Sequence, residues 1–394
     1  MKYPFTPEVL DILPEELAEL FRSLEDTLIE EIASRLKAAG QINEVTVQDM
    51  RALRSHGIEL DGIKKAISKA AAIAEKDLDA LLADVVERNQ AYYTELIDAA
   101  KVTAPETLVD GRDVDAIVRQ TKESLHNITQ SMAFVVGKGD GVVMLPPARA
   151  YQWALDNAEL QVMSGAVSYG DAIKKAVKSL ASSGIRFAEY ESGHRDHIDV
   201  AARRAVMTGV NQLCQRYAEQ SVEYLGTDLV EVSAHGGARD TGDGPANHKA
   251  WQGKVYRWKG KKGNSKGKYP DFIEFTGYGT GEGLGGWNCR HHFYPFYEGV
   301  SERTYTDAQL DKIDPPAFEF EGKKYTRYAA TQKQREIERT VRKLTRQQTA
   351  AKALGDDDEA AAAGAAIRRL KTKYKAFSKA AELPAQDERM KVIY

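Results

Sequence analysis

Four of the eight histidines and one of the two cysteines fall between residues 235 and 292, in a stretch dense in glycine and tryptophan. It comprises H-G-G-A-R-D-T-G-D-G-P-A-N-H-K-A-W-Q-G-K-V-Y-R-W, His235 to Trp258, and G-Y-G-T-G-E-G-L-G-G-W-N-C-R-H-H-F-Y-P-F, Gly277 to Phe296. Imidazole and thiolate are the ligand types of zinc, so His235, His248, Cys289 and His292, with His291 as the substitute in the last place, form the metal set these residues allow. Their spacing matches no finger pattern, because one cysteine is present and no C-x-x-C. A second chemistry makes Cys289 a nucleophile, its pKa lowered by a neighbouring histidine, with Arg290 holding an oxyanion. A variant takes Asn247-His248 and His291-His292 as a nuclease-like metal site.

A third reading is structural, and it is preferred. Arg239, Asp240 and Asp243 would supply internal ion pairs and turn caps, and His235 and His248 would donate to loop carbonyls. Trp251, Trp258 and Trp287 would be core. Glycine is used where the backbone must bend or approach closely, and loops so rich in it need side-chain bonds to satisfy their polar groups. On this reading His235, Arg239, Asp240, His248, Trp251, Gly253, Tyr278, Gly279, Gly281, Trp287, Asn288, Cys289, Arg290 and His291 form one structural motif. No catalytic residue and no cofactor is then expected, and zinc is the metal to look for.

The elements around this stretch read mostly as helix. Apolar residues recur at helical spacing from 14 to 38 (Leu17, Leu20, Phe21, Leu24, Leu28, Ile32, Leu36), and further helices are predicted over 45–53, 61–101, 114–132, 148–163, 171–182 and 198–224. Ala205 and Gly209 on the last of these permit a close helix crossing. The run from Val135 to Met144 lacks the G-K-[ST] of a phosphate cradle and reads as a loop or a small hairpin. His194 and His197 are placed at the head of the helix that follows, with Asp196 or Ser192 as cap. Strands are expected at 228–232, 255–258 and 273–275, and a hairpin at 318–326. The lysine- and glycine-rich run 259–268 reads as a solvated tip.

Two helices close the chain, 331–352 and one opening behind Asp356, and they pair as an αα-hairpin. Their basic residues Arg335, Arg339, Arg342, Lys343, Arg346, Arg368, Arg369, Lys371, Lys373 and Lys375 are the chain's best nucleic-acid candidates. The fold class is mainly α with a small α+β domain. It is divided into an N-terminal helical region (1–145), a central helical region (146–226), a glycine- and aromatic-rich α+β domain (227–313), and a β-hairpin with a basic helical tail (314–394).

A chain of 394 residues can bury sizeable cores, and a net charge of −3 excludes a uniformly basic DNA-coating protein. Two distant cysteines give no disulfide framework. With no membrane-length apolar run and no signal-peptide pattern, a soluble protein made inside a cell is expected.

The runs Thr227 to His235, G-A-R-D, H-K-A-W-Q-G-K-V-Y and G-Y-G-T-G-E-G-L-G-G-W-N-C-R-H resemble the phage minor capsid protein 2 family, which is related to Mu-type head morphogenesis proteins. The similarity reaches R-R-A-V-M-T-G-V-N-Q upstream (Arg203 to Gln212) and T-Q-K-Q-R-E-I-E-R downstream (Thr331 to Arg339). Mu-type relatives carry a C-x-x-C pair and end in C-R-C; this chain has neither. The resemblance implies a virion structural protein without enzymatic activity, placed near the portal and acting in head assembly or DNA packaging and delivery. It implies portal protein and other capsid or scaffold proteins as partners, non-specific double-stranded DNA as a further one, and no membrane. The location would be the virion, and the host cytoplasm during assembly. The alternative from the residues alone is a zinc-dependent nuclease or hydrolase built on the cluster of 235–292.

Overall fold

The computed structural model describes residues 3–40, 61–138, 141–163, 167–188, 195–240, 242–258, 267–299 and 301–392. The expected helix at 45–53, the lysine run 259–266 and His194 lie outside the described residues. The chain forms two compact units, one from Met1–Glu15, Glu75–Ser124 and Arg203–Lys333, the other from Glu16–Ala74, Leu125–Ala202 and Gln334–Tyr394. The fold is mainly α with small antiparallel sheets. None of its described helices is long and apolar enough to cross a membrane.

In the second unit, the helix Glu15–Gly40 buries Leu17, Phe21, Leu24, Leu28, Ile32 and Leu36 of the predicted stripe, while Leu20 is only half-buried. It also buries charge: Arg22, Glu25 and Asp26 all lie in the interior. A four-stranded antiparallel sheet of order β2-β1-β3-β4 is built from β1 (Met132–Lys138), β2 (Gly141–Leu145), β3 (Ile185–Ala188) and β4 (Arg195–His197). β1 and β2 pair antiparallel, so of the two readings of Val135 to Met144, a loop or a small hairpin, the hairpin is the one present. The helix begins at Ile198 as expected, but His197 ahead of it ends a strand, paired with Arg186, and Asp196 lies in the same ladder to β3.

The closing helices, Arg327–Leu354 and Asp357–Ala380, do form an αα-hairpin, in which Ile337 and Val341 meet Tyr374, Ile367 and Leu370. The second opens with its Asp356 side chain accepting the Glu359 N–H and with three acids in the first turn, where the helix dipole favours negative charge. The hairpin is tied into its unit. Arg346 reaches the Glu25 carboxylate at 3.0 Å and donates to the Ala181 carbonyl at 3.0 Å. Asp199 lies between Arg342, at 3.5 Å, and Arg22, at 3.7 Å.

In the first unit, the helix Ile198–Leu225 contributes its length from Arg203, burying Val206, Val210, Leu213 and Tyr217. A Cβ on Gly209 would stand 2.2 Å from the Thr121 hydroxyl, so the glycine allows the close crossing with the helix Gly111–Gln130. Three strands of order β6-β5-β7 form the sheet: β5 (Leu229–Val232), β6 (Val255–Arg257) and β7 (Phe293–Phe296). The strand expected at 273–275 is instead a short helix, Phe272–Thr276. Asp271 caps it by accepting from the Ile273 and Glu274 N–H groups, and Gly277 stops it in the left-handed conformation at φ 61°. The hairpin at 318–326 is present as Phe318–Phe320 paired with Lys323–Tyr325.

Candidate functional site

The loops of the histidine-rich stretch hang from the three-stranded sheet. β5 leads directly into His235, and β7 begins behind Cys289-Arg290-His291-His292. Ser233 joins the two segments: its N–H donates to the His292 carbonyl at 2.8 Å and its hydroxyl accepts the His292 N–H at 2.9 Å. Between them, Asn247 caps the helical turn His248–Trp251 through the Ala250 N–H, and the Trp251 indole donates to the Pro245 carbonyl at 2.9 Å. The loop 277–286 folds on itself so tightly that a Cβ on Gly283 would stand 2.1 Å from the Gly277 carbonyl oxygen, and one on Gly286 2.2 Å from that of Gly281. Only glycine admits such backbone-on-backbone contact. Asn288, at φ 55°, takes the left-handed turn before Cys289, a conformation asparagine tolerates better than most residues.

Among the described residues, this folding gathers one set of groups that could hold a metal. His248, Cys289 and His291 each present a donor atom, all within 4.8 Å of one another and all buried. The His291 imidazole Nδ1 lies 3.6 Å from the Cys289 sulfur, and its Nε2 lies 2.9 Å from Oε1 of Gln252. The His248 Nε2 donates to the Glu282 carbonyl at 2.8 Å. His235 stacks on His291, centroids 4.5 Å apart, and its Nδ1 donates to the Gly236 carbonyl at 3.1 Å. His292 is elsewhere. It meets the Tyr93 hydroxyl at 3.0 Å and stacks on Tyr3 at 4.1 Å, so the fourth place allotted to it from sequence belongs to the neighbouring His291.

Burial sets the protonation states here. It lowers His235 to about 3, with Arg290 adding repulsion, and His248 to about 4. His292 falls to about 3 through burial alone, and burial also carries His291 far below the ordinary imidazole range. Burial pushes the Cys289 thiol up, which disfavours an activated nucleophile. Arg290 pairs with Asp11 at 3.5 Å, and Arg239 reaches the Glu282 and Trp287 carbonyls at 3.4 and 3.3 Å. Asp240 pairs with Lys249 at 3.0 Å, while the Asp243 side chain makes no cap bond at the turn it precedes.

The tryptophans divide. Trp251 and Trp258 are 2 % and 0 % exposed, in a core with Tyr256, Phe272, Leu284, Cys289 and Phe293; Tyr278 packs against it, its hydroxyl donating to Glu219 at 2.9 Å. Trp287 is 59 % exposed, contrary to the expectation that it is core. Its ring lies over Gly281, whose missing Cβ would stand 2.7 Å from it, so it covers the glycine loop from outside. Gly253 (φ 66°) gives way to Leu310, 2.3 Å from where its Cβ would be; Gly279 also has positive φ, at 89°.

Three residues at the cluster carried no signal in the motif. Gln252 bridges the His235 N–H and His291, Asn211 donates to the Cys289 carbonyl at 2.7 Å, and Tyr93 holds His292. Asn211 was findable, as a polar residue next to the apolar stripe of its helix.

The basic residues of the closing hairpin also divide. Arg335 pairs with Glu338 at 2.9 Å, Arg342 with Asp199 and Arg346 with Glu25, so these three are spent on the fold. Arg346, only 5 % exposed, is removed from the DNA-facing set by burial. Arg339, Lys343, Arg368, Arg369 and Lys375 are exposed, and Lys371 and Lys373 half-buried.

A helix-rich protein with one small α+β part, its polar cluster turned inwards among loops, is the class this fold and site define. The particular family follows from comparison: the chain belongs to the phage minor capsid protein 2 family, whose model, described as Phage minor capsid protein 2, matches residues 5–379. It is similar to a structural protein of Lactococcus phage LL-H, 26 % identical over 376 residues, covering 93 % of this chain and 86 % of that protein. It is also similar to a structural protein of Lactococcus phage mv4, 33 % identical over 109 residues, covering 27 % of this chain and 76 % of that one. No solved structure matches.

Proposed function

We propose that this phage structural protein acts near the portal of a tailed phage, in head assembly or in packaging and delivery of DNA, and without an enzymatic reaction of its own. The observation that carries the reading is the family match from residue 5 to residue 379, which takes in both compact units and not only the motif. The geometry agrees with a structural role for the cluster, whose side chains satisfy loop carbonyls and one another. The rival reading, a zinc-dependent nuclease or hydrolase on His235, His248, Cys289 and His292, meets a chain in which His292 is turned away towards Tyr93.

Partners on this reading are the portal and other capsid proteins, with packaged double-stranded DNA as a non-specific one. The particle is its place of action and the host cytoplasm its place of assembly. For DNA, the exposed Arg339, Lys343, Arg368, Arg369 and Lys375 supply the contacts. Each phosphate they neutralise releases counterions, so log K falls by about 0.9 per contact for each unit of log salt. The test is duplex binding by the full chain across a salt series, beside a variant carrying Arg339→Glu, Lys343→Glu, Arg368→Glu and Arg369→Glu. The wild type should bind weakly, irrespective of sequence, and lose affinity steeply with salt, and the variant should lose both affinity and slope. Equal binding by the two would remove the hairpin from the DNA reading.

A further inference from the structure

We propose that His248, Cys289 and His291 bind one zinc ion, which clamps the helical turn at His248 to the N-C-R-H segment. Ligands about 2.3 Å (sulfur) and about 2.0 Å (nitrogen) from a tetrahedral zinc stand about 3.6 Å apart. The Cys289 sulfur and His291 Nδ1 are 3.6 Å apart, and the full set lies within 4.8 Å, so closing around an ion takes side-chain adjustment of about an ångström.

The hydrogen bonds around the set then fix which atoms carry lone pairs. Gln252 Oε1 accepts the backbone N–H of His235 at 3.1 Å, which identifies it as the oxygen of that amide. His291 Nε2, 2.9 Å from the same oxygen, must therefore be the protonated nitrogen, and its lone pair is on Nδ1, the atom facing the sulfur. His248 Nε2 donates to the Glu282 carbonyl, which leaves its lone pair on Nδ1. An imidazole that gives its second N–H to a carbonyl or amide oxygen is held in the orientation and tautomer that metal ligation uses.

The sulfur has its own support. The His291 backbone N–H points at it from 3.4 Å. That N–H offsets only part of the burial that keeps the thiol protonated, and an arriving metal ion would displace the proton to make the thiolate ligand. A mixed imidazole–thiolate set suits zinc and not magnesium or calcium, which take oxygen ligands. Three protein ligands leave a fourth position for water, and His235 packs against the set by stacking on His291. The site is independent of the portal reading.

The test uses the full chain purified without chelator or affinity metal. Elemental analysis should find one zinc per chain. After the zinc is removed and Co²⁺ added, a thiolate-to-cobalt charge-transfer band should appear in the near ultraviolet with tetrahedral d–d bands. Cys214 is the one other thiol, so the band should survive Cys214→Ser and vanish in Cys289→Ser, while His292→Gln keeps the metal and His291→Ala loses it. Wild-type protein that carries no zinc and gives no cobalt–thiolate band overturns the proposal, and this arm needs no variant to fold. A band that follows Cys214 overturns it equally.

Discussion

Arg346→Met separates the two uses of the basic hairpin. The guanidinium is buried against the equally buried Glu25 carboxylate and also donates to the Ala181 carbonyl. Methionine keeps most of the volume and removes the charge, leaving a carboxylate in the interior without its partner. Breaking a buried pair from one side costs about 3–5 kcal/mol, a fall of roughly two to four powers of ten in the folded-to-unfolded ratio. The loss should depend on pH. Burial already holds Glu25 above the ordinary carboxylate range, outweighing the attraction of Arg346, and removing that attraction raises it further. A carboxyl raised in the folded state favours folding when protonated, so its contribution is whole below the unfolded value and lost as pH rises through the folded one. The deficit of the variant should therefore be full at pH 8 and shrink as pH falls towards 4.5, the unfolded value. Urea unfolding followed by circular dichroism at several pH values reads this directly. Arg339→Ala and Lys343→Ala, at exposed positions, should shift stability by no more than about 0.5 kcal/mol and weaken duplex binding instead. An Arg346→Met protein of wild-type stability that no longer binds DNA would refute the division.

Other sites make equally separable demands. Trp258→Ala should destabilise the first unit by about 3–5 kcal/mol, whereas Trp287→Ala, at a ring mostly in solvent, should cost below about 1 kcal/mol in the same denaturant assay. Asp26, raised to about 7 by burial and then by Glu25, has one buried oxygen without a hydrogen-bond partner. Its charge opposes folding increasingly as pH climbs from 4 to 7, so Asp26→Asn should stabilise at pH 8 by up to about 4 kcal/mol and change little at pH 4, read from the midpoint of chemical unfolding.

Most helices were legible because their stripes are long and their stops are glycine. The stripe of the helix Glu15–Gly40 and the stop at Gly184 needed nothing beyond periodicity and a glycine. The strand at 273–275 was misread because I-E-F alternates as well as it turns; the cap at Asp271 and the stop at Gly277 decide it. β7 went unseen because a proline sits inside it, and it is admissible there because β7 is an edge of its sheet. The site was legible as a region and not as a geometry. His291 and His292 are neighbours of identical type, and only the fold shows that one turns to Cys289 and the other to Tyr93. Arg346 looked like any solvated arginine, since its partner lies 321 residues away in sequence.

Imaging of intact particles tests the proposed place at the portal. Phage particles bearing this chain should be purified, labelled with antibody or reconstructed without imposed symmetry, and compared with particles lacking it. The chain should be present in the mature particle, confined to a single vertex with the portal. Absence from purified particles, or signal spread evenly over the shell, would contradict it.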